Sequence, residues 1–326
     1  LPERTTLNAR VGRTLERPGY RIENVVLESR PGCLVTGNLY VPEGLAGPAP
    51  GVLGACGHTL TGKAADYNQN FAQRLVANGF VVFVFDPLNQ GERIQYVGIP
   101  GAEETANSST RAHNMMAKQL ELIGESLPSW FAWDAIRALD YLLSRPEVDP
   151  ARVGMTGCSG GGTMTTWMWG LDERLTMAAP SCFVTTFLSN LEDEIPADAE
   201  QYPVGVLAAG LEQADFYLAR APKPVILLGE RYDFFDRRGT QEAFAEMQRF
   251  YDLLGAPQGA LAYYEGPDAH GFRRADMEEM VRFFARHAGV EEATVRETIA
   301  LRPDLSAIAR PGDTGVAIDA ACASSA

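Results

Sequence analysis

Short apolar runs rich in β-forming residues alternate along the chain with longer stretches whose apolar residues recur every three or four positions. GNLYVP (37–42) and GVLGACG (51–57) read as strands, YNQNFAQRLVANGF as a helix stopped at Gly79, and VVFVFDP (81–87) as a buried strand. A long polar stretch then runs to about Leu127. WFAWDAIRALDYLLSR (130–145) is the next helix, followed by the strand ARVGMTGCS (151–159), the largely apolar helix TMTTWMWGL, and the strand LTMAAPSCF (175–183). Beyond a connector over 184–222 come the strand PVILLGE (224–230), the helix TQEAFAEMQRFYDLLG with its glycine stop, the strand ALAYYEG (260–266) and a closing helix, ADMEEMVRFFARHAG. Such a βαβ series predicts an α/β fold: a mostly parallel sheet with helices on both faces and one core. In sheets of that kind function gathers at the C-terminal ends of the strands.

The turn between strand and helix at 154–162, GMTGCSGGG, changes the picture. Gly157, Cys158, Ser159, Gly160 and Gly161 spell G-x-S-x-G, the pattern in which a strained turn lifts a serine hydroxyl above the end of a sheet. A thiol nucleophile at Cys158 would need the pattern to begin at Thr156, which is not glycine. A serine hydroxyl needs an imidazole to take its proton and a carboxylate to fix that imidazole's tautomer. Of the four histidines, only His270, in GPDAHGF, falls just after the last strand. Asp233 and Asp236 both follow the strand PVILLGE, and Asp233 lies nearer the strand end, which makes it the expected acid. Oxyanion donors are expected from the backbone N–H of Gly160 and from ACGHTLTGK (55–63), where the backbone N–H of His58 is the candidate and Thr59 the fallback.

Composition narrows the field. With 326 residues, 46% of them hydrophobic and 21% charged, the chain can bury a large core. A formal net charge of −14 argues against a sequence-independent hold on nucleic acid or on an anionic membrane, and favours a small or neutral substrate. No apolar run reaches membrane-span length, and LPERTTLNAR lacks the apolar core of a signal peptide; Leu1 in place of Met is compatible with a removed leader, so cytoplasmic and secreted locations both stay open. The five cysteines, Cys33, Cys56, Cys158, Cys182 and Cys322, follow no disulfide framework, although Cys56, Cys158 and Cys182 all fall near strand ends where two of them could pair. No C-x-x-C or His/Cys cluster has zinc-ligand spacing, and the expected chemistry calls for neither metal nor organic cofactor.

Together, GHTLTGK, FDPLNQGER, RPEVDPARVGMTGCSGGGT, LLGERYDFFD and HGF resemble the serine esterases of the α/β-hydrolase superfamily, in particular bacterial acetylxylan-esterase-like and dienelactone-hydrolase-like carboxylesterases, over roughly residues 20–288. The resemblance implies Ser159 as nucleophile, Asp233 as acid, His270 as base, and the backbone N–H groups of His58 and Gly160 as oxyanion hole. Where acetylxylan esterases of the cephalosporin-deacetylating type carry His-Gly-Tyr, this chain has Cys56, Gly57 and His58. The implied activity is hydrolysis of short acyl, acetyl-like groups from carbohydrate or other small esters. A peptidase of the prolyl oligopeptidase type shares such a catalytic domain but normally carries a large propeller ahead of it, for which the segment preceding this sheet is too short; a non-catalytic binding protein could also retain the fold. The stretches 94–128 and 184–222 are expected to be lid insertions roofing the acyl pocket, the carboxylates of NLEDEIPADAEQYP favouring neutral sugar esters over polyanions. Residues 1–290 are expected to form one domain, and 291–326, ending in DAACASSA, an extension or linker. No oligomeric state follows from the pattern.

Overall fold

The computed structural model describes residues 2–193, 195 and 197–290; the expected C-terminal extension, with Cys322, lies outside the described residues. The chain opens with three antiparallel strands, β1 (Arg10–Arg17), β2 (Tyr20–Arg30) and β3 (Cys33–Pro42), then passes through β4 (Ala49–Ala55), α1 (Asp66–Ala77) and β5 (Val81–Phe85). The first insertion follows, holding α2 (Glu103–Ala106) and α3 (Ser109–Glu121), and leads into α4 (Leu127–Leu143). Next come β6 (Val148–Cys158), α5 (Gly160–Leu171) and β7 (Met177–Ser181). The second insertion holds α6 (Phe187–Leu191), a 3-10 turn (Ala199–Gln201) and α7 (Gln213–Leu218). β8 (Val225–Tyr232), α8 (Arg237–Leu253), β9 (Leu261–Ala269) and α9 (Arg274–His287) complete it.

Among the described residues nine strands join one sheet in the order β1-β2-β3-β5-β4-β6-β7-β8-β9. From β5 to β9 every neighbouring pair is parallel. Strand VVFVF of β5 is buried along its whole length, the pattern of a strand covered on both faces. On one face, Phe71, Leu75 and Val76 of α1 pack with Met277, Met280 and Phe284 of α9. On the other, Trp133, Ile136 and Leu139 of α4, Trp167 and Trp169 of α5, and Met247 and Tyr251 of α8 form the larger core. The chain runs from β4 outward to β5, then crosses back to place β6 on the other side of β4. That reversal opens a crevice between the C-terminal ends of β4 and β6, the place where open α/β sheets bind their ligands.

Two parts of the sequence-based picture change. The N-terminal pair β1–β2 adds strands that the hydrophobic pattern did not announce, and both insertions carry short helices where the sequence suggested connecting segments. Among the described residues no helix is long and apolar enough to cross a membrane.

Candidate active site

Strand β6 runs out of the sheet at Cys158, and the next residue turns the chain sharply into α5. Ser159 makes that turn with φ 59 and ψ −121, a backbone region that L-residues with side chains rarely hold and that costs about 1–3 kcal/mol. The conformation persists because its surroundings permit nothing else. Ser159 N–H donates to Ser181 O at 2.9 Å, and Thr163 N–H donates to Ser159 O at 2.9 Å. A Cβ on Gly157 would stand 2.4 Å from Ala55 O and one on Gly161 2.2 Å from the same oxygen, so both glycines are what lets the elbow press against the end of β4.

His270 follows β9 and Asp233 follows β8, so the parallel pairing of these strands brings the two together. His270 Nδ1 lies 2.8 Å from Asp233 Oδ1, with the carboxylate almost fully buried and the imidazole about a quarter exposed. With Nδ1–H donated to Asp233, the lone pair of the neutral ring sits on Nε2. Phe234 lies against the imidazole, ring centroids 4.2 Å apart, and Phe235 N–H donates to the same Asp233 oxygen at 3.0 Å. Asp236 is engaged elsewhere: it caps α8 through Arg238 N–H at 2.8 Å and pairs with the Arg238 guanidinium.

Beneath this pair lies a carboxyl couple that the sequence reading did not single out. Glu230 Oε2 accepts from Asp268 N–H at 2.8 Å, two residues before His270, and Gly266 leaves the space its carboxylate occupies. Burial, then hydrogen bonding to Glu230 and its charge, pushes the Asp276 carboxyl up to about 8. Asp276 therefore keeps its proton over much of the neutral range. Cys182 ties the same loop to the elbow: its Sγ lies 3.5 Å from Gly271 O, and a hydrogen bond with Cys158, then burial, raises its thiol pKa. Cys56, Cys158 and Cys182 are buried and form no disulfide, so the pairing considered among them is not made.

The loop after β4 closes over the elbow from the other side. A Cβ on Gly57 would stand 2.3 Å from Cys158 O and 3.3 Å from the Ser159 Cβ, so only glycine fits. Gln90 Nε2 donates to Gly57 O at 2.7 Å. A trans peptide points its C=O and N–H in opposite directions, so this bond turns the His58 N–H away from Gln90. Gly160 opens α5, where the first backbone N–H groups have no partner within the helix. The segments GHTLTGK and FDPLNQGER are one buried unit: Lys63 Nζ bonds Asp86 Oδ2 at 2.5 Å and Glu92 Oε2 at 2.8 Å, while Thr36 Oγ1 donates to Asp86 at 2.6 Å. Arg93 extends it, donating to Asp86 O at 2.9 Å and pairing with Asp134 at 2.8 Å. Despite burial, the charges of Asp86 and Glu92 raise the Lys63 ammonium pKa.

A second group absent from the sequence reading lies beside Gly160. His58 Nε2 stands 3.1 Å from His113 Nδ1, 3.0 Å from Asp198 Oδ2 and 3.4 Å from Glu200 Oε1. Burial and then the charge of Asp198 push the Glu200 carboxyl up to about 8, whereas hydrogen bonds from the two histidines outweigh burial at Asp198 and hold it below the ordinary range. These residues come from the loop after β4 and from both insertions, and no short spacing announces them. On the opposite flank, a cleft of about 590 Å³ is lined by Asp233, Phe234, Arg231, Arg237, Arg238 and the acidic end of α6.

Comparison with known proteins agrees with this architecture. The model of the prolyl oligopeptidase family matches residues 122–210, which span α4, the elbow and much of the second insertion. The hydrolase-named YtaP of Bacillus subtilis (strain 168) is 25% identical over 275 residues, covering 81% of this chain and 86% of YtaP. Among solved structures, the methylesterase BT1017 superposes with a TM-score of 0.68 at 24% identity over 90% of this chain, which spans only 62% of that protein's length. An acetyl xylan esterase from Paenibacillus sp. R4 superposes with a TM-score of 0.59 at 21% identity, over 86% of this chain and 89% of the other. A parallel sheet reversed at β4, a serine at the elbow after β6 and this set of similar proteins show that the chain has the α/β-hydrolase fold.

Proposed function

We propose that the protein is a serine carboxylic-ester hydrolase that removes short acyl groups from carbohydrate or other small esters through Ser159, His270 and Asp233. The observation that carries this reading is the 2.8 Å contact between His270 Nδ1 and Asp233 on the strand ends beside a serine held at a positive-φ elbow. Ser159 Oγ attacks the ester carbonyl while His270 Nε2 takes its proton, and Asp233 keeps the imidazole in the required tautomer and stabilises the cation that forms. The backbone N–H groups of His58 and Gly160 receive the negative charge that develops on the carbonyl oxygen. Collapse of the intermediate expels the alcohol, protonated by His270, and leaves an acyl-serine. Water, deprotonated by His270, then releases the acid and restores the serine. Similarity to an acetyl xylan esterase supports the acetyl-like acyl group, and the methylesterase likeness supports an ester bond of small size.

The family match over 122–210 favours one second reading, a serine peptidase built on the same triad. Hydrolysis of p-nitrophenyl acetate, butyrate and octanoate, acetylated xylan and chromogenic peptides, by wild type and Ser159→Ala side by side, separates them. The expected outcome is turnover of acetate above octanoate, release of acetate from xylan, no peptide cleavage, and loss of at least about 10⁴-fold in kcat in the variant. Peptide cleavage without ester preference would establish the peptidase reading, and equal rates in variant and wild type would refute both.

A further inference from the structure

His58, His113 and Asp198 place three metal-ligating side chains around one point, with Glu200 beside them. Three acceptor atoms converge on His58 Nε2, at 3.0, 3.1 and 3.4 Å, and one imidazole nitrogen carries at most one proton to share among them. His113 is fully buried, and its Nε2 lies 2.9 Å from Leu88 O, a hydrogen bond that leaves Nδ1 as the lone-pair nitrogen aimed into the cluster. That is how metal-binding histidines are fixed: one ring nitrogen donates to a carbonyl and the other ligates. Asp198 Oδ2 faces the two imidazoles, 3.0 Å from His58 Nε2 and 3.6 Å from His113 Nδ1, and Glu200 Oε1 is buried without a hydrogen-bond partner among the described residues. The Asp198 carboxylate and the backbone after it are anchored from behind, since Glu200 N–H donates to Asp198 Oδ1 at 3.2 Å, Asn114 Oδ1 accepts from Ala199 N–H at 2.9 Å, and Trp167 Nε1 donates to the Glu200 backbone O at 3.0 Å.

The spacing has a scale of its own. Ligand bonds of about 2.0–2.1 Å in a tetrahedron put neighbouring donor atoms about 3.3 Å apart. The distances between His58 Nε2, His113 Nδ1 and Asp198 Oδ2 run from 3.0 to 3.6 Å. Two imidazoles and one carboxylate make a mixed nitrogen and oxygen donor set that suits the zinc type, with the fourth position of the tetrahedron left to water.

We propose that this cluster binds one divalent transition-metal ion of the zinc type, ligated by His58 Nε2, His113 Nδ1 and Asp198 Oδ2, with the Glu200 carboxyl beside it. The ion pins the oxyanion loop, through His58, to α3 of the first insertion and to the 3-10 turn of the second. It stands directly behind Gly160: a Cβ there would meet Glu200 Oε1 at 2.6 Å and the His58 ring at 3.0 Å. The metal thus acts on the reaction by positioning, holding the His58 backbone where the oxyanion forms, and the ester is not one of its ligands.

Metal analysis of the full chain, dialysed against Zn²⁺ and desalted, tests this without any substrate. The expected result is about one zinc per chain, removed by a chelator with a fall in Tm of about 5 °C or more and restored on re-addition. Co²⁺ added to the stripped protein should give the intense visible absorption of a tetrahedral site, and both the metal and the absorption should be missing in His113→Asn and Asp198→Asn. Should those variants fail to fold, the wild-type stoichiometry and cobalt spectrum decide alone. Substoichiometric metal, a Tm unmoved by Zn²⁺, an octahedral cobalt spectrum, or full retention of metal in Asp198→Asn would each overturn the proposal and leave a cluster held by protons. The outcome is independent of whether any ester is hydrolysed.

Discussion

At the scale of single residues, geometry separates aspartates that the sequence left side by side. Asp233 faces His270, whereas Asp236 spends both oxygens on the start of α8 and on Arg238. Asp233→Asn should lower kcat for p-nitrophenyl acetate by about 10³- to 10⁴-fold with little change in KM, because the amide favours the wrong imidazole tautomer. Asp236→Asn, which keeps a good helix cap, should stay within about threefold of wild type. Steady-state kinetics on the two variants checks both statements. Ser159, Asp233 and His270 stand out in the sequence as candidates because each follows directly on a recognisable strand, and strand ends are where this architecture collects its chemistry. His113, Asp198 and Glu200 do not. His113 sits in a polar amphipathic helix and the two acids in an acidic stretch, so nothing local distinguishes them from solvated surface until the insertions are folded over the β4 loop.

At the scale of elements, the loops matter as much as the strands that carry them. Gln90, buried after β5, is the group that orients the Gly57–His58 peptide. Gln90→Ala removes the donor from a buried carbonyl and should cost about 1–3 kcal/mol of stability. If the His58 N–H is the oxyanion donor proposed above, the same change should lower kcat by about tenfold or more while leaving KM nearly unchanged, since such a donor acts on the transition state. Chemical denaturation and kinetics on one preparation test the two together. Lys63→Met strands Asp86 in the interior without its cation, and should destabilise the protein by about 3–5 kcal/mol. The midpoint of urea unfolding reads this directly. Strands such as β5 were evident because they are uninterrupted apolar runs. β2 was not, because its sequence YRIENVVLESR carries polar residues into the interior: Asn24 is buried against Asn38 at 2.8 Å, and Glu23 is held by Arg21 and Arg145. A polar residue buried by its partner reads, in sequence, as an exposed one.

At the scale of the whole molecule, the proton held by Asp276 links stability to pH. The Asp276 carboxyl stands near 3.8 when unfolded and about 8 when folded, so between those values the native state binds the extra proton. Its contribution to stability is therefore fully present below about pH 4 and is lost progressively as pH rises toward 8, the reverse of an ordinary salt-bridged carboxylate. Thermal melts at a series of pH values between 5 and 9 should show Tm declining toward the alkaline end. Asp276→Asn, which keeps an acceptor for Arg273 N–H and supplies a donor to Glu230, should flatten that decline. A slope unchanged by the substitution would assign the dependence to other groups, beginning with the general repulsion of a chain of net charge −14.

The order of the strands has one more consequence, which concerns time. The serine elbow follows β6, yet the proposed acid and base follow β8 and β9, the last strands of the described residues and the far edge of the sheet. On that reading, synthesis finishes the proposed nucleophile before the groups that would activate it. Refolding should show the same lag, with helical signal returning before reactivity toward a fluorophosphonate probe, and that interval measures how long the closing edge of the sheet takes to dock.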